Sequence, residues 1–158
     1  MSPLYFEDLA AGQRYAGTTT ARITADDIRA FAEKYDPQPF HLSDEGAAGS
    51  VFGSLAASGW HTAAITMQLL VASEFRPAGG IVGAGFDELS WPRPVRPDDE
   101  LRVESDVLEV RPSRSNPRVG IVKLRTVTFN EDDKPVQTSV GNIVVPTRSG
   151  SPAADAPA

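Results

Sequence analysis

Residues 46–73 read GAAGSVFGSLAASGWHTAAITMQLLVAS, and no Asp, Glu, Lys or Arg stands between Glu45 and Glu74. An uncharged run of that length invites comparison with a membrane-spanning helix. Its content argues otherwise: Gly, Ala, Ser and Thr dominate, and His61 and Gln68 interrupt it. The part from Phe52 to Ser73 is apolar nearly all round, the pattern of a helix enclosed by protein or lipid. Small side chains suit close wrapping by another element. The expectation is a long buried helix over 52–73, with Ser50 as its N-cap and no membrane span.

Downstream of that helix the period changes. After Pro77-Ala78-Gly79-Gly80, residues 81–91 read as a strand, followed by a bend at Pro92, Pro94 and Pro97. In 100–111, Leu101, Val103, Ser105 and Val107 alternate with charged residues, which is a half-buried strand. Residues 118–130 alternate as well, 131–134 (EDDK) form a hairpin turn, and 135–146 make a last strand. Upstream, the Thr-rich stretch 13–23 suits a short strand. Thr24 with Asp26 and Asp27 signals a helix start, and Ile28, Phe31, Ala32 and Tyr35 follow helical spacing, so 25–35 is read as an amphipathic helix. Residues 36–50 read as a polar, irregular connection. Meander strands after one long helix give an α+β class, with an antiparallel sheet around a buried helix.

The chain has 158 residues, with 15 Lys+Arg against 21 Asp+Glu, a net charge of −6. One domain fits that length. Its acidity disfavours nucleic acid as a partner, since phosphate binding needs a basic face. No cysteine is present, which removes disulfides, thiolate metal sites and Cys nucleophiles. His41 and His61 are the only histidines, so a three-His metal site within one chain is excluded. Asp36, His41, Asp44 and His61 are metal-ligand types without a recognised spacing, and no metal is expected. The N-terminus has neither a basic nor an apolar leader region, so no signal peptide is read there and a cytoplasmic location follows by default. The domain is expected to span 1–147. The small, polar, Pro/Ala-rich 148–158 is read as a disordered tail.

Chemistry concentrates in Tyr35-Asp36-Pro37-Gln38-Pro39-Phe40-His41. A straight polyproline link of five residues would separate the carboxylate and imidazole by roughly 15 Å. If the link turns, the two can hold one water, one accepting a proton while the other orients or donates. The alternative is a turn Asp serving backbone amides and a His packed at a loop edge. A second feature is Phe52-Gly53-Ser54-Leu55 at the expected helix start. There Gly53 would let a ligand approach free amides suited to an oxyanion; plain helix packing explains the glycine equally.

Together, DPQPFH and the later FGSLAASGWH resemble the MaoC-like dehydratases, or (R)-specific enoyl-CoA hydratases, of the hot-dog fold. The strand, bend and turn in GFDELSWPRPVRPDDEL add to the likeness, which covers about residues 5–147. The resemblance implies that Asp36 and His41 activate the water added across the C2–C3 double bond of a 2-enoyl-CoA, or removed from a 3-hydroxyacyl-CoA. It further implies that the Gly53 amide binds the thioester oxygen. A homodimer or dimer of dimers is expected, with coenzyme A carried by the substrate and no other cofactor. Phe52, Ser54 and Trp60 fall beside these motifs as substrate-binding candidates. Gln38 stands where the pattern has Asn, and His61 where some members carry a Ser near the catalytic Asp; His61 is read as a packed or supporting residue.

Arg111, Arg114, Arg118, Lys123 and Arg125 form a basic island without an acid in 111–125, a candidate for the coenzyme phosphates. Arg93 and Arg96 in the proline bend are further candidates; a solvated hairpin accounts for the island equally. Two rival functions remain: a hot-dog thioesterase, which the lack of any acid in 52–73 disfavours, and a non-catalytic acyl-thioester binding module.

Overall fold

The computed structural model describes residues 2–150. Six strands form one antiparallel sheet in the order β1-β4-β5-β6-β3, with β2 pairing β4 beside β1. They are β1 (Arg14–Ala16), β2 (Ala21–Arg22), β3 (Val82–Ser90), β4 (Glu100–Pro112), β5 (Val119–Phe129) and β6 (Pro135–Pro146). The helices are α1 (Ala25–Tyr35), α2 (Pro39–Leu42), α3 (Asp44–Ala47) and α4 (Gly59–Val71). The last four strands lie close to the stretches read as strands, and Leu101, Val103, Ser105 and Val107, the alternating set of β4, are buried. The Thr-rich 13–23 is two short strands rather than one.

The helix α1 occupies 25–35 as its spacing predicts. Thr24 Oγ1 accepts from the Asp27 N–H (3.1 Å), and the Asp27 carboxylate accepts from the Thr24 N–H (3.0 Å). This reciprocal cap satisfies two amides that a helix start leaves open.

The central helix is shorter than expected. It begins at Gly59 with Ser58 as N-cap, not near Phe52 with Ser50. Residues 52–57 are as apolar as the helix, but their amides have other partners. Leu55 N–H donates to the Asp44 carboxylate (2.9 Å), Ala56 N–H to Phe40 O (3.1 Å) and Ala57 N–H to Val95 O (2.9 Å). A buried backbone must place its hydrogen bonds somewhere; here three different segments take them, and the run is held as an irregular strap.

Across the sheet, α4 joins two clusters. Leu69 packs with Ile23, Ile28, Leu55, Val95 and Val136. Leu70 packs with Phe75, Val107, Val122, Leu124 and Ile143. Its other face is not enclosed within the chain: Trp60, Met67 and Val71 are exposed. Past β6, Thr147 Oγ1 donates to Arg118 O (3.1 Å). Arg148 Nη2 reaches the Asp8 carboxylate at 2.6 Å, and its guanidinium lies over the Tyr5 ring. These contacts involve residues 147 and 148 of the described chain, and residues 151–158 of the expected tail lie outside the described ones. No helix among the described residues is long and apolar enough to cross a membrane.

Candidate active site

The link between Asp36 and His41 turns, and Pro39 is the reason. Proline suits the first position of a helix, where its missing N–H costs nothing. α1 ends at Tyr35, Gln38 N–H closes a tight turn onto Asp36 O (2.8 Å), and Pro39 opens the single-turn helix α2 that carries His41. The two side chains face each other, with His41 Nε2 3.3 Å from Asp36 Oδ2.

Each is oriented by a further partner. His41 Nδ1 lies 2.6 Å from Ala56 O. A carbonyl can only accept, so Nδ1 carries the hydrogen and Nε2 is the atom turned toward Asp36. Ser58 Oγ donates to Asp36 Oδ2 (2.7 Å) and Gln38 Nε2 to Oδ1 (2.6 Å). Burial pushes the Asp36 carboxyl upward, but the bonds from Ser58 and Gln38, with the neighbouring His41, outweigh it and hold the group below its ordinary range. An ionised Asp36 and a lone pair on Nε2 are two acceptors in near contact. Only a donor between or beside them relieves that contact, either water or a second imidazole proton.

Ser58 is the residue the sequence reading missed, and it corrects the place given to His61: the serine beside Asp36 is Ser58. Its hydroxyl also accepts from the Trp60 N–H (3.2 Å), capping α4. The signal was the triplet Ser58-Gly59-Trp60, a cap residue leading directly into an apolar run. His61 instead stacks on Phe31, with centroids 4.6 Å apart and planes 4° from parallel. Burial holds its imidazole below its ordinary pKa, opposed by the Asp27 carboxylate, and its enclosed Nδ1 has no hydrogen-bond partner among the described residues.

Gly53 does not lie in a helix turn. It sits in the strap at φ +72°, and its N–H donates to Ser50 O (3.2 Å). The open amide belongs to Gly59, the first residue of α4, whose N–H finds no acceptor among the described residues. A Cβ at Gly59 would stand 2.8 Å from the Trp91 indole, so only glycine lets this helix end meet that ring. A cleft of about 300 Å³ runs past these groups, lined by His41, Phe52, Gly59, Thr62, Trp91 and Arg93 among others.

The remaining candidates divide. Phe52 stands 5.8 Å from the His41 ring, centroid to centroid, and Arg93 lines the same cleft. Trp60 meets Trp91 edge-on at 5.5 Å. Ser54 is exposed at the outer end of the strap, where Arg96 Nη1 donates to both its carbonyl (2.8 Å) and its hydroxyl (3.0 Å), and Arg96 Nη2 to Phe52 O (2.6 Å). Arg96 is thus a clasp for the strap. Arg114 and Arg118 are not brought to the cleft of their own chain. They sit on the β4–β5 hairpin at the Pro146 end of the sheet, whereas Trp91 and Arg93 contact Gln137 and Pro135 at the opposite end of β6. From Gln137 to Pro146 the strand runs about nine residue steps, roughly 30 Å at about 3.3 Å each. Lys123 is taken by Asp87 (2.8 Å) and Glu109 (3.6 Å), and Arg125 approaches Asp106 (3.8 Å). No group of three or more metal-ligating side chains occurs among the described residues.

The family model for the MaoC like domain matches residues 8–129. A crystal structure of a MaoC-like dehydratase from Rhodospirillum rubrum is 53% identical, with a TM-score of 0.87, covering 92% of this chain and 98% of that one. A 3-hydroxybutyryl-CoA dehydratase of Methylorubrum extorquens is 34% identical over 118 residues, 74% of this chain and 72% of that protein. The unliganded (R)-hydratase PhaJ1 of Pseudomonas aeruginosa is 28% identical, with a TM-score of 0.70, covering 92% of this chain and 87% of that one.

Proposed function

The chain belongs to the MaoC-like domain family and has the hot-dog fold, and from that premise we propose that it is a hydro-lyase adding water reversibly across the C2–C3 double bond of a 2-enoyl-CoA. The observation that carries the reading is the Asp36–His41 contact, with His41 lining one cleft together with Gly59, whose amide is open.

In this reading the thioester oxygen accepts from the Gly59 N–H at the positive end of α4. Water donates into the notch between Asp36 and His41. One water O–H bond breaks to the pair, the oxygen bonds to C3, and the π electrons move through C2 onto the thioester oxygen. The Gly59 amide stabilises that enolate. The proton held by the pair then forms the C2–H bond, the carbonyl re-forms, and both side chains return to their first state. The role given to the Gly53 amide thus passes to Gly59, because the Gly53 N–H is already engaged. In the same reading Arg93, which lines the cleft, meets the coenzyme phosphates.

We extend the reading to a homodimer. The edge of β3 away from β6 has no strand partner among the described residues, Val82 and Phe86 are exposed on β3, and α4 exposes Trp60, Met67 and Val71. An open strand edge beside apolar surface calls for a cover, and a second copy supplies it. α4 carries no Asp or Glu, which leaves the thioesterase alternative without a carboxylate there. The test is loss of the enoyl-thioester absorbance with short, medium, long and branched 2-enoyl-CoAs. Turnover without added metal or nucleotide is expected; no hydration of any of them overturns the proposal.

A further inference from the structure

A second cavity, of about 350 Å³, lies between α4 and the inner face of the sheet. It adjoins the cleft along α4: Gly59 and Thr62 line the cleft, while Ala63, Thr66 and Met67 line the cavity. Glycines keep it open; at Gly83 and Gly85 an added Cβ would meet nothing within 4 Å. Most of the wall is apolar, and no charged side chain lines it.

One wall residue is out of character. Gln137 is 2% exposed and lines the cavity from β6. Its Oε1 accepts from the Trp91 indole N–H (2.9 Å). An indole N–H is donor only, so the amide oxygen must face Trp91 and the NH₂ must face away. That nitrogen has no hydrogen-bond partner among the described residues, and it is not sealed in, for the only enclosed unpartnered side-chain atom is His61 Nδ1. The hydroxyls nearby are paired: Thr66 meets Thr128 at 2.6 Å and Thr126 meets Ser105 at 2.9 Å, one hydroxyl of each pair donating to the other. The Gln137 amide, with two N–H groups and no partner for either among the described residues, is the largest donor on this wall. Trp91, which fixes it, is also a wall of the cleft.

A buried donor left unpaired is costly, and a ligand that supplies its acceptor is favoured over one that does not. A carboxylate would bring a charge that nothing in the cavity offsets. Resting on the hydratase reading, we propose that the acyl group carries a neutral oxygen acceptor, a ketone or hydroxyl beyond the reacting double bond, and that Gln137 is the residue selecting it.

The experiment compares kcat/KM for 2-hexenoyl-CoA and 2-heptenoyl-CoA with their 5-oxo and 6-oxo counterparts. At least one oxo substrate is expected to exceed its parent about tenfold or more. Gln137→Met should abolish the preference. Gln137→Glu, which keeps an acceptor for Trp91 and removes the amide donor, should abolish it as well and guards against a packing fault in the first variant. Equal rates for parent and oxo substrates, or a preference that survives both substitutions, overturns the inference and leaves the hydratase reading standing. No turnover with any thioester overturns both.

Discussion

At the cleft a carboxylate and an imidazole converge with hydrogen-bonding capacity to spare, whereas on the β4–β5 face Lys123 and Arg125 are already paired with carboxylates. At the cleft the Asp36 carboxylate, the His41 imidazole and the open Gly59 amide are each set by a partner: Ser58 and Gln38 on Asp36, Ala56 O on His41, Trp91 against Gly59. The hairpin end holds most of the chain's basic island, yet Lys123 and Arg125 are occupied by Asp87, Glu109 and Asp106. Charge density marks a surface, whereas unspent hydrogen-bonding capacity in a cleft marks a place for a reactant.

The contrast breaks first at Asp36. Asp36→Asn should lower kcat by about 10²–10⁴, the range for a general acid–base group, with the circular dichroism spectrum unchanged; near-normal turnover would remove the carboxylate from the chemistry. Next is a pair of glycines. Gly59→Ala drives a methyl into the Trp91 ring and should cost turnover on the order of tenfold or more, since displacing an oxyanion donor is expensive. Gly53→Ala should cost only stability, about 1 kcal/mol for a side chain at positive φ, read as a lower Tm with kcat within about twofold. Equal kinetic effects from both would return the oxyanion role to the strap.

Ser58→Ala is smaller and carries a sign. Removing one of the two bonds to the carboxylate lets burial prevail, so the Asp36 pKa rises and the acid limb of the kcat/KM profile moves to higher pH; an unmoved limb would reduce Ser58 to a helix cap. His61 has the opposite kind of consequence, in stability alone. Its folded pKa is depressed, so the unfolded chain binds more protons as pH falls through the ordinary value of 6.5, and stability drops below that pH. His61→Phe, keeping the stack on Phe31, should flatten Tm between pH 7 and 5. At the hairpin end, Arg114→Ala should change kcat by less than about twofold, as exposed substitutions away from a site do.

Local signals carried most of the scaffold. Thr24 and Asp27 mark α1, and the alternation around Leu101, Val103 and Val107 marks β4, because cap chemistry and a two-residue period are written in neighbouring residues. The start of α4 is not so written. Phe52–Ala57 matches the helix in composition, and its conformation is decided by Asp44, Val95 and an Arg96 clasp about forty residues away. The same distance hides Ser58 and Gly59: their roles depend on Asp36 and Trp91, each more than twenty residues off. The DPQPFH stretch was legible as a pair of reacting groups, but the turn joining them depended on Pro39 starting a helix rather than extending a polyproline link.

Water labelled with oxygen-18 tests the central claim most directly. After incubation of the protein with a 2-enoyl-CoA, mass spectrometry should find one labelled oxygen at C3 of an intact 3-hydroxyacyl-CoA. Label in a released free acid, with coenzyme A set free and the double bond retained, would contradict it.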